Sequence, residues 1–345
     1  MAQKRNNITR QDVNAMKPYR TGVVIGKFYP PHQGHHYLIN TASTQCEILH
    51  VLVCWKPEQT VPVDIRITCI REVHPEVNVM AVKDILDDDD TPGWAQYTVQ
   101  LLGGTPDVVF TSEDYGDGYA RAMGSKHVLV DRHREAYPCS GTMIRTSPLE
   151  HLDRVAPIIR AFYVKRICIV GAESTGKTTL SKRLAEHYQT NWVPEYGREY
   201  CAVKWKDGNI TDDWSPEEFV TIATEQSRRE DHAARAANKV LICDTDSFAT
   251  SIWHERYLNK RNIEVETIAN NRRYDLYLLT GDEIPFIQDG LRDGEHIRHW
   301  MHERFIKALT EANRPWVLVS GTLEERISQA VHCIDDVLSG QALNS

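Results

Sequence analysis

The sequence predicts two α/β domains, each built on a parallel sheet. Three observations predict this. A chain of 345 residues exceeds one average domain. Short apolar runs alternate with helix-length stretches along its length, the pattern of right-handed β-α-β crossovers. And two strand-loop-helix beginnings stand far apart, "VVIGKFYPPHQGHHYLI" from Val23 and "KRICIVGAESTGKTTL" from Lys165.

In order along the chain, residues 1–20 are polar and basic and read as a tail. The first domain spans 21–148, with strands at 22–26, 47–54, 77–82, 107–111 and 127–130 and helices at 34–45, 64–73 and 93–103. The run Asp87–Asp90 reads as a solvated loop. Segment 149–164 is expected to link the domains through a short helix interrupted near Pro157. The second domain spans 165–345, with strands at 166–170, near 190–193, and at 239–243, 274–279 and 315–319. Its helices are expected at 177–188, 216–238, 295–312 and 322–338.

Composition narrows the function classes. Hydrophobic residues make up 41%, enough for sizeable cores, and the net charge of −8 argues against broad nucleic-acid or membrane-surface binding. The eight cysteines form no C-x-x-C pair, and several lie in apolar runs, as expected of buried reduced thiols in a cytoplasmic protein. No apolar run is long enough to span a membrane.

The first strand ends at Gly26, and a helix begins near Gly34. The loop between them therefore lies at the carboxyl edge of a parallel sheet, where such sheets bind ligands. The helix amino terminus offers unpaired N–H groups and partial positive charge to a phosphate. His32 and His35, three apart, can both face that end, and Gly34 lets a phosphate approach the backbone. The string G-K-F-x-P-x-H-x-G-H, from Gly26, Lys27 and Phe28 onward, resembles the nucleotidylyltransferase signature. That resemblance implies a second motif at a later helix start, and "CSGTMIRTSP" supplies Ser140, Thr142 and Arg145, with Gly141 where Ser or Thr is commoner. It also implies in-line attack of a substrate phosphate on the α-phosphorus of ATP. Lys27, His32, His35 and Arg145 would stabilise the charge, with Mg²⁺ assisting. Losing one such donor costs on the order of 3 kcal/mol of barrier.

"GAESTGKT" fits the Walker A pattern at Gly171, Gly176, Lys177 and Thr178, after an apolar strand and before a helix. Its residues Ser174, Thr175 and Thr179 join the phosphate cradle. Lys177 is expected on the β/γ-phosphates and Thr178 on Mg²⁺. "KVLICDTDS" ends a buried strand at Asp244, a second Mg²⁺ ligand, and at Asp246, a substrate contact. "PEYGREY" offers Glu195, Tyr196 and Arg198 to substrate; Glu195 and Asp244 are the candidate bases for a sugar hydroxyl. "QDGLRDGEHIR" offers Asp289, Arg292 and Arg298, the arginines toward the transferring phosphoryl group.

Both domains, in this order over residues 20–340, resemble the NadR family of bifunctional nicotinamide-mononucleotide (NMN) adenylyltransferases and ribosylnicotinamide kinases. "EYGRE", "DTD" and "DGLR" carry the kinase substrate. The resemblance implies a Rossmann-like nucleotidylyltransferase domain followed by a P-loop kinase domain. It implies ATP and nicotinamide riboside as substrates, NMN as intermediate and NAD as product. It also places Trp94 on the nicotinamide ring, although a helix Trp is usually core; such a stack is favourable by ~1–2 kcal/mol. Some family members are DNA-binding repressors; the short tail here predicts no such role. A homo-oligomer is compatible with the sequence, which does not fix the oligomeric state. Two other readings stand beside this one: the adenylyltransferase–kinase pair of coenzyme A synthesis, and an ATP/NAD sensor without turnover.

Overall fold

The computed structural model describes residues 17–206, 213–288 and 294–341. Asp289 and Arg292 lie outside the described residues, as does most of the expected tail. The chain divides into two compact units, Met1–Ile159 and Arg160–Ser345.

The first unit runs β1 (Tyr19–Gly26), α1 (Gln33–Ser43), β2 (Cys46–Trp55), α2 (Val63–Val73), β3 (Asn78–Lys83), α3 (Thr91–Leu102), β4 (Val108–Thr111), α4 (Gly116–Met123), β5 (Lys126–Leu129) and α5 (Gly141–Thr146). Its sheet has the order β3-β2-β1-β4-β5, with every pair parallel. Alternation along each strand feeds two cores. Val24, Val51, Val53 and Phe110 pack with Leu38 and Ile39 of α1 and Ile67 and Ile70 of α2. Their neighbours Val23, Leu52 and Val109 pack with Ala95 of α3 and with Tyr119 and Met123 of α4. Burial on both faces explains the unbroken apolar runs. The chain leaves β1 for β2 on one side and later returns to place β4 on the other. The crevice between β1 and β4 is thus the switch point of the sheet.

α6 (Pro157–Tyr163) begins at Pro157 instead of being interrupted there. Proline lacks an N–H and has a helix-compatible φ, so it suits a first turn.

The second unit runs β6 (Lys165–Val170), α7 (Lys177–His187), β7 (Trp192–Val193), α8 (Tyr196–Lys204), α9 (Pro216–Ala234), β8 (Val240–Asp244), α10 (Ser247–Leu258), α11 (Ile263–Asn270), β9 (Leu276–Thr280), α12 (Arg298–Glu311), β10 (Trp316–Val319) and α13 (Leu323–Ser339). Its parallel sheet has the order β10-β9-β6-β8-β7. Ile167, Ile169, Ile242 and Leu278 pack under Leu180 and Leu184 of α7 and Ala330 and Ile334 of α13. Ser215 starts α9 with a capping box to Glu218, and Thr322 starts α13 the same way with Glu325.

Four helices carry no clear sequence signal. α4 opens with Gly-Asp-Gly, and α8 buries none of its residues fully. α10 buries Phe248, Ala249, Thr250, Ile252 and His254, which leaves no apolar stripe to read. α11 is a single short stretch capped by Asn262. α9 ends at Ala234, four residues before the expected 238.

Candidate active sites

The first site opens at the carboxyl ends of β1 and β4 as a cavity of about 660 Å³. Its lining includes Lys27, Phe28, His32, Gly34, His35, Asp84, Trp94, Arg134, Ser140, Thr142 and Arg145. His32 occupies the amino-terminal cap position of α1 and His35 the first turn. Their rings stack at 3.7 Å between centroids and 26° between planes, and Phe28 abuts His35 at 5.0 Å. Phe28 has a left-handed φ of 43°, an uncommon conformation that folds its ring inward. Burial pushes His32 down to about 4, and the Arg134 cation pushes the same way. His35 is held well below the ordinary imidazole range by burial, with His32 and His36 adding to the shift. Both rings are therefore neutral donors near pH 7.

The second motif lands beside the first. Ser140 caps α5 by accepting from Met143 N at 3.1 Å. Arg145 donates to the Tyr29 carbonyl and to Thr142 Oγ1 (3.2 Å), and lies 4.3 Å from the Tyr29 ring centroid. Gly141 has a steric reason: a Cβ there would collide with the Tyr29 carbonyl. Lys27 meets Asp88 at 3.2 Å and the buried Asp84 at 4.0 Å. The acidic run is thus more than a solvated loop. Asp88 pairs with Lys27, Asp90 caps α3 through Gly93 N, and the Asp87 carbonyl accepts the Trp94 indole N–H at 3.1 Å. Trp94 both lines the cavity and packs on the core beneath α3.

Sequence reasoning missed three residues here. Arg66 is 1% exposed; its Nη1 donates to the carbonyls of Lys27 (2.6 Å) and Cys54 (3.2 Å), and its Nη2 to Gln59 Oε1 (2.8 Å). It pins the phosphate loop from α2. Asp84 buries both carboxylate oxygens beside Lys27 and Lys56. Arg134 follows β5, where "DRHRE" was a legible basic run with nothing to say what it faced.

The second site surrounds the loop between β6 and α7. Gly171 has φ 145°, and a Cβ there would strike the Thr280 hydroxyl, so only glycine fits. Lys177 Nζ donates to the Ala172 carbonyl at 2.8 Å, curled over its own loop. Thr178 Oγ1 donates to Asp244 Oδ2 at 2.6 Å, and Asp244 Oδ1 is buried without a hydrogen bond. Burial raises the Asp244 carboxyl, opposed by the Thr178 bond and by the Lys177 and Arg198 cations. Ser174, Gly176, Thr179, Glu195 and Arg198 also line this cavity. Glu195 sits at the amino-terminal cap of α8. An aromatic wall also lines it, formed by Trp205, Trp214, Phe219, Trp253 and Tyr257, which pack as one cluster.

Four sequence expectations change. Asp246 is fully buried; its carboxylate caps α10 through Ala249 N and accepts the Tyr277 hydroxyl at 2.8 Å, so it holds structure instead of substrate. Tyr196 packs its ring under the Arg229 guanidinium, 4.3 Å away. Thr175 lines the cavity as expected, but its hydroxyl is buried and bonded to the Ala172 carbonyl and Thr280 Oγ1, which leaves the cradle its backbone and not its side chain. Arg298 donates to the Ile284 carbonyl at 2.8 Å, at the start of α12. Arg326, which the sequence did not flag, is 3% exposed and donates to the Thr175 carbonyl at 2.7 Å.

Known proteins resemble each half of the chain. Residues 166–326 match the AAA domain family, and 21–86 match the citrate lyase ligase C-terminal domain family. The trifunctional NAD biosynthesis/regulator protein NadR of Escherichia coli (strain K12) is 28% identical over 338 residues, 91% of this chain and 82% of its own length. The chain is similar to NadR over most of its length. The NadR of Salmonella typhimurium (strain LT2) is 27% identical over 93% of this chain and 84% of its own. A NadR crystal structure in complex with NR superposes with a TM-score of 0.75 at 21% identity, covering 95% of this chain and 98% of that one. Another, with NAD and AMP-PNP, gives 0.73 at 22%, with the same coverage. The NadR fold thus extends over both parallel-sheet units. Among the described residues, no helix is long and apolar enough to cross a membrane.

Proposed function

We propose that the chain makes NAD in two steps. The second unit phosphorylates nicotinamide riboside with ATP to give NMN, and the first joins NMN to the adenylyl group of ATP, releasing pyrophosphate. The observation that carries this is the second cavity. Its lining combines a P-loop with a cluster of aromatic rings, which suits a phosphoryl donor and a flat cationic pyridinium riboside in one cavity.

In the kinase site, the loop N–H groups and Lys177 hold the ATP phosphates. Asp244 accepts from Thr178 and is assigned to the cation, so Glu195, which lines the cavity, accepts the proton of the riboside hydroxyl. Arg198 lines the same cavity and would balance the charge on the transferring group. Thr178 and Asp244 are hard oxygen donors, and the buried, unpartnered Asp244 Oδ1 fits a cation beside them. Among the described residues no group of three His, Cys, Asp or Glu could hold a metal. Two protein oxygens plus phosphates and water suit Mg²⁺, which usually binds in that way. Bound there, Mg²⁺ would neutralise phosphate charge.

In the adenylyltransferase site no covalent intermediate is needed. The NMN phosphate attacks the α-phosphorus in line, and pyrophosphate leaves. His32 and His35 donate to the phosphate oxygens, Lys27 and Arg145 offset the growing charge, and Ser140 and Thr142 hold the α5 end of the cleft. Trp94, which lines the same cavity, would stack on the nicotinamide ring. The eight free cysteines suit the reducing cytoplasm, where we place the enzyme.

The test is a product time course with nicotinamide riboside, ATP and Mg²⁺. NMN should rise first and NAD follow. His35→Ala should stop NAD formation but spare NMN formation, and Lys177→Ala should stop NMN formation but spare NAD synthesis from added NMN. If either variant, still folded, lost both activities, the two-site assignment would be wrong.

A further inference from the structure

Cys139 stands 107 residues after His32, yet its Sγ lies 3.3 Å from His32 Nδ1. The contact is interior, with Cys139 4% and His32 6% exposed. His32 is a neutral imidazole near pH 7, held down by burial, so its single N–H proton sits on one nitrogen or the other. Which nitrogen carries it decides what the ring can do. A proton on Nδ1 would leave Nε2 with a lone pair, which repels a phosphate oxygen. A proton on Nε2 makes that edge a donor. The bond made by one ring nitrogen sets the state of the other.

A thiol has one proton to give, and the Nδ1 lone pair is a better acceptor than sulfur. Stacking on His35 at 3.7 Å fixes the plane of the ring, and the Sγ contact selects which of its two flipped orientations it takes, with Nδ1 toward Cys139. Cys139 also directly precedes Ser140, the cap of α5. One residue thereby ties the His32 ring to the loop that carries the second phosphate motif. We propose that Cys139 is a positioning residue: its thiol donates to His32 Nδ1 and holds the ring in the Nε2–H form, which donates to the phosphate in adenylyl transfer. The inference rests on the adenylyltransferase reading of this site.

The test uses the full chain with ¹⁵N-labelled histidine. Long-range ¹H–¹⁵N spectra at neutral pH report the tautomer, and His32→Asn identifies the His32 signals. The wild type and Cys139→Ser should both show the Nε2–H pattern. Cys139→Ala should shift His32 to a mixture or to Nδ1–H. Its kcat for NAD formation should fall roughly tenfold, the scale of one neutral hydrogen bond. KM for NMN should change little, and Cys139→Ser should restore most of kcat. Undiminished riboside phosphorylation reports that each variant protein is intact. The proposal is overturned if the Nε2–H pattern persists in Cys139→Ala, or if serine fails to rescue a loss seen with alanine, which would mark a steric role. If the wild type makes no NAD, the functional reading fails, and the spectra still decide the tautomer.

Discussion

Arg66 Nη1 donates to the Lys27 carbonyl at 2.6 Å, joining residues 39 apart in the chain. The guanidinium fork also serves Cys54 O and Gln59 Oε1, so one buried side chain closes the β1–α1 loop against β2 and α2. The second unit uses the same device, with Arg326 Nη1 on the Thr175 carbonyl of the P-loop. In each unit the phosphate-binding loop is held from behind by an arginine that lies inside the protein.

Arg66→Lys keeps the charge but not the planar fork, and a single ammonium cannot meet the Lys27, Cys54 and Gln59 oxygens in the same geometry. An unsatisfied buried polar group costs about 1–3 kcal/mol. The first unit should lose roughly that much stability, visible as an earlier first transition in a denaturant titration. NAD formation from NMN should fall, while riboside phosphorylation should be unchanged. An unaltered transition and an unaltered NAD rate would show that the loop is held by something else.

The histidines of the first unit predict acid sensitivity with a defined sign. Burial depresses His32 to about 4 and His36 to about 3, and it also lowers His74, which hydrogen bonds His36 at 2.9 Å. A folded-state pKa below the unfolded value favours the neutral ring. The stabilisation is whole above the ordinary imidazole pKa of ~6.5 and is lost as pH falls toward the folded values. Thermal unfolding of the first unit should therefore drop between about pH 6.5 and 4. Replacing His36 with Leu should flatten that slope. A melting temperature level across that range would contradict the neutral-ring description.

The local motifs were legible because their chemistry sits within a few residues. His32 and His35 share a helix start, and the Walker loop runs from Gly171 to Thr178 without a break. Across long separations the sequence gives no register. Nothing marks Arg66 as the partner of Lys27, Cys139 as the neighbour of His32, or Trp205, Trp214, Phe219, Trp253 and Tyr257 as one wall. Asp246 was misread for a local reason. It is two residues from Asp244 and looks like a second strand-end carboxylate. Thr245 between them has φ 62°, which turns the chain and sends Asp246 into the core as the cap of α10.

The Thr178–Asp244 pair makes a sharp kinetic prediction. Asp244→Asn preserves the shape and removes the charge that a phosphate-bound cation needs. Riboside phosphorylation should fall on the order of 10²–10³-fold, the scale of removing one electrostatic group at a transferring centre. NAD synthesis from supplied NMN should hold steady, since that chemistry belongs to the other unit. Raising Mg²⁺ should recover part of the lost rate. A variant with near-normal phosphorylation would remove Asp244 from the metal site.

The aromatic wall predicts a binding defect and not a chemical one. Trp253 lines the cavity and is only partly buried, so Trp253→Leu removes a ring face with less packing loss than a change at the more buried Trp214. A cation–π contact with the pyridinium is worth ~1–2 kcal/mol when desolvated, which corresponds to roughly a 5- to 30-fold rise in KM for the riboside. KM for ATP should stay fixed, because the P-loop is untouched. kcat should change less than KM, since a stack on the pyridinium contributes equally to ground and transition states. A riboside lacking the ring charge, with dihydronicotinamide as its base, should bind wild type and Trp253→Leu alike. If the variant discriminates between the charged and uncharged ribosides as strongly as wild type does, Trp253 is not the seat of the ring.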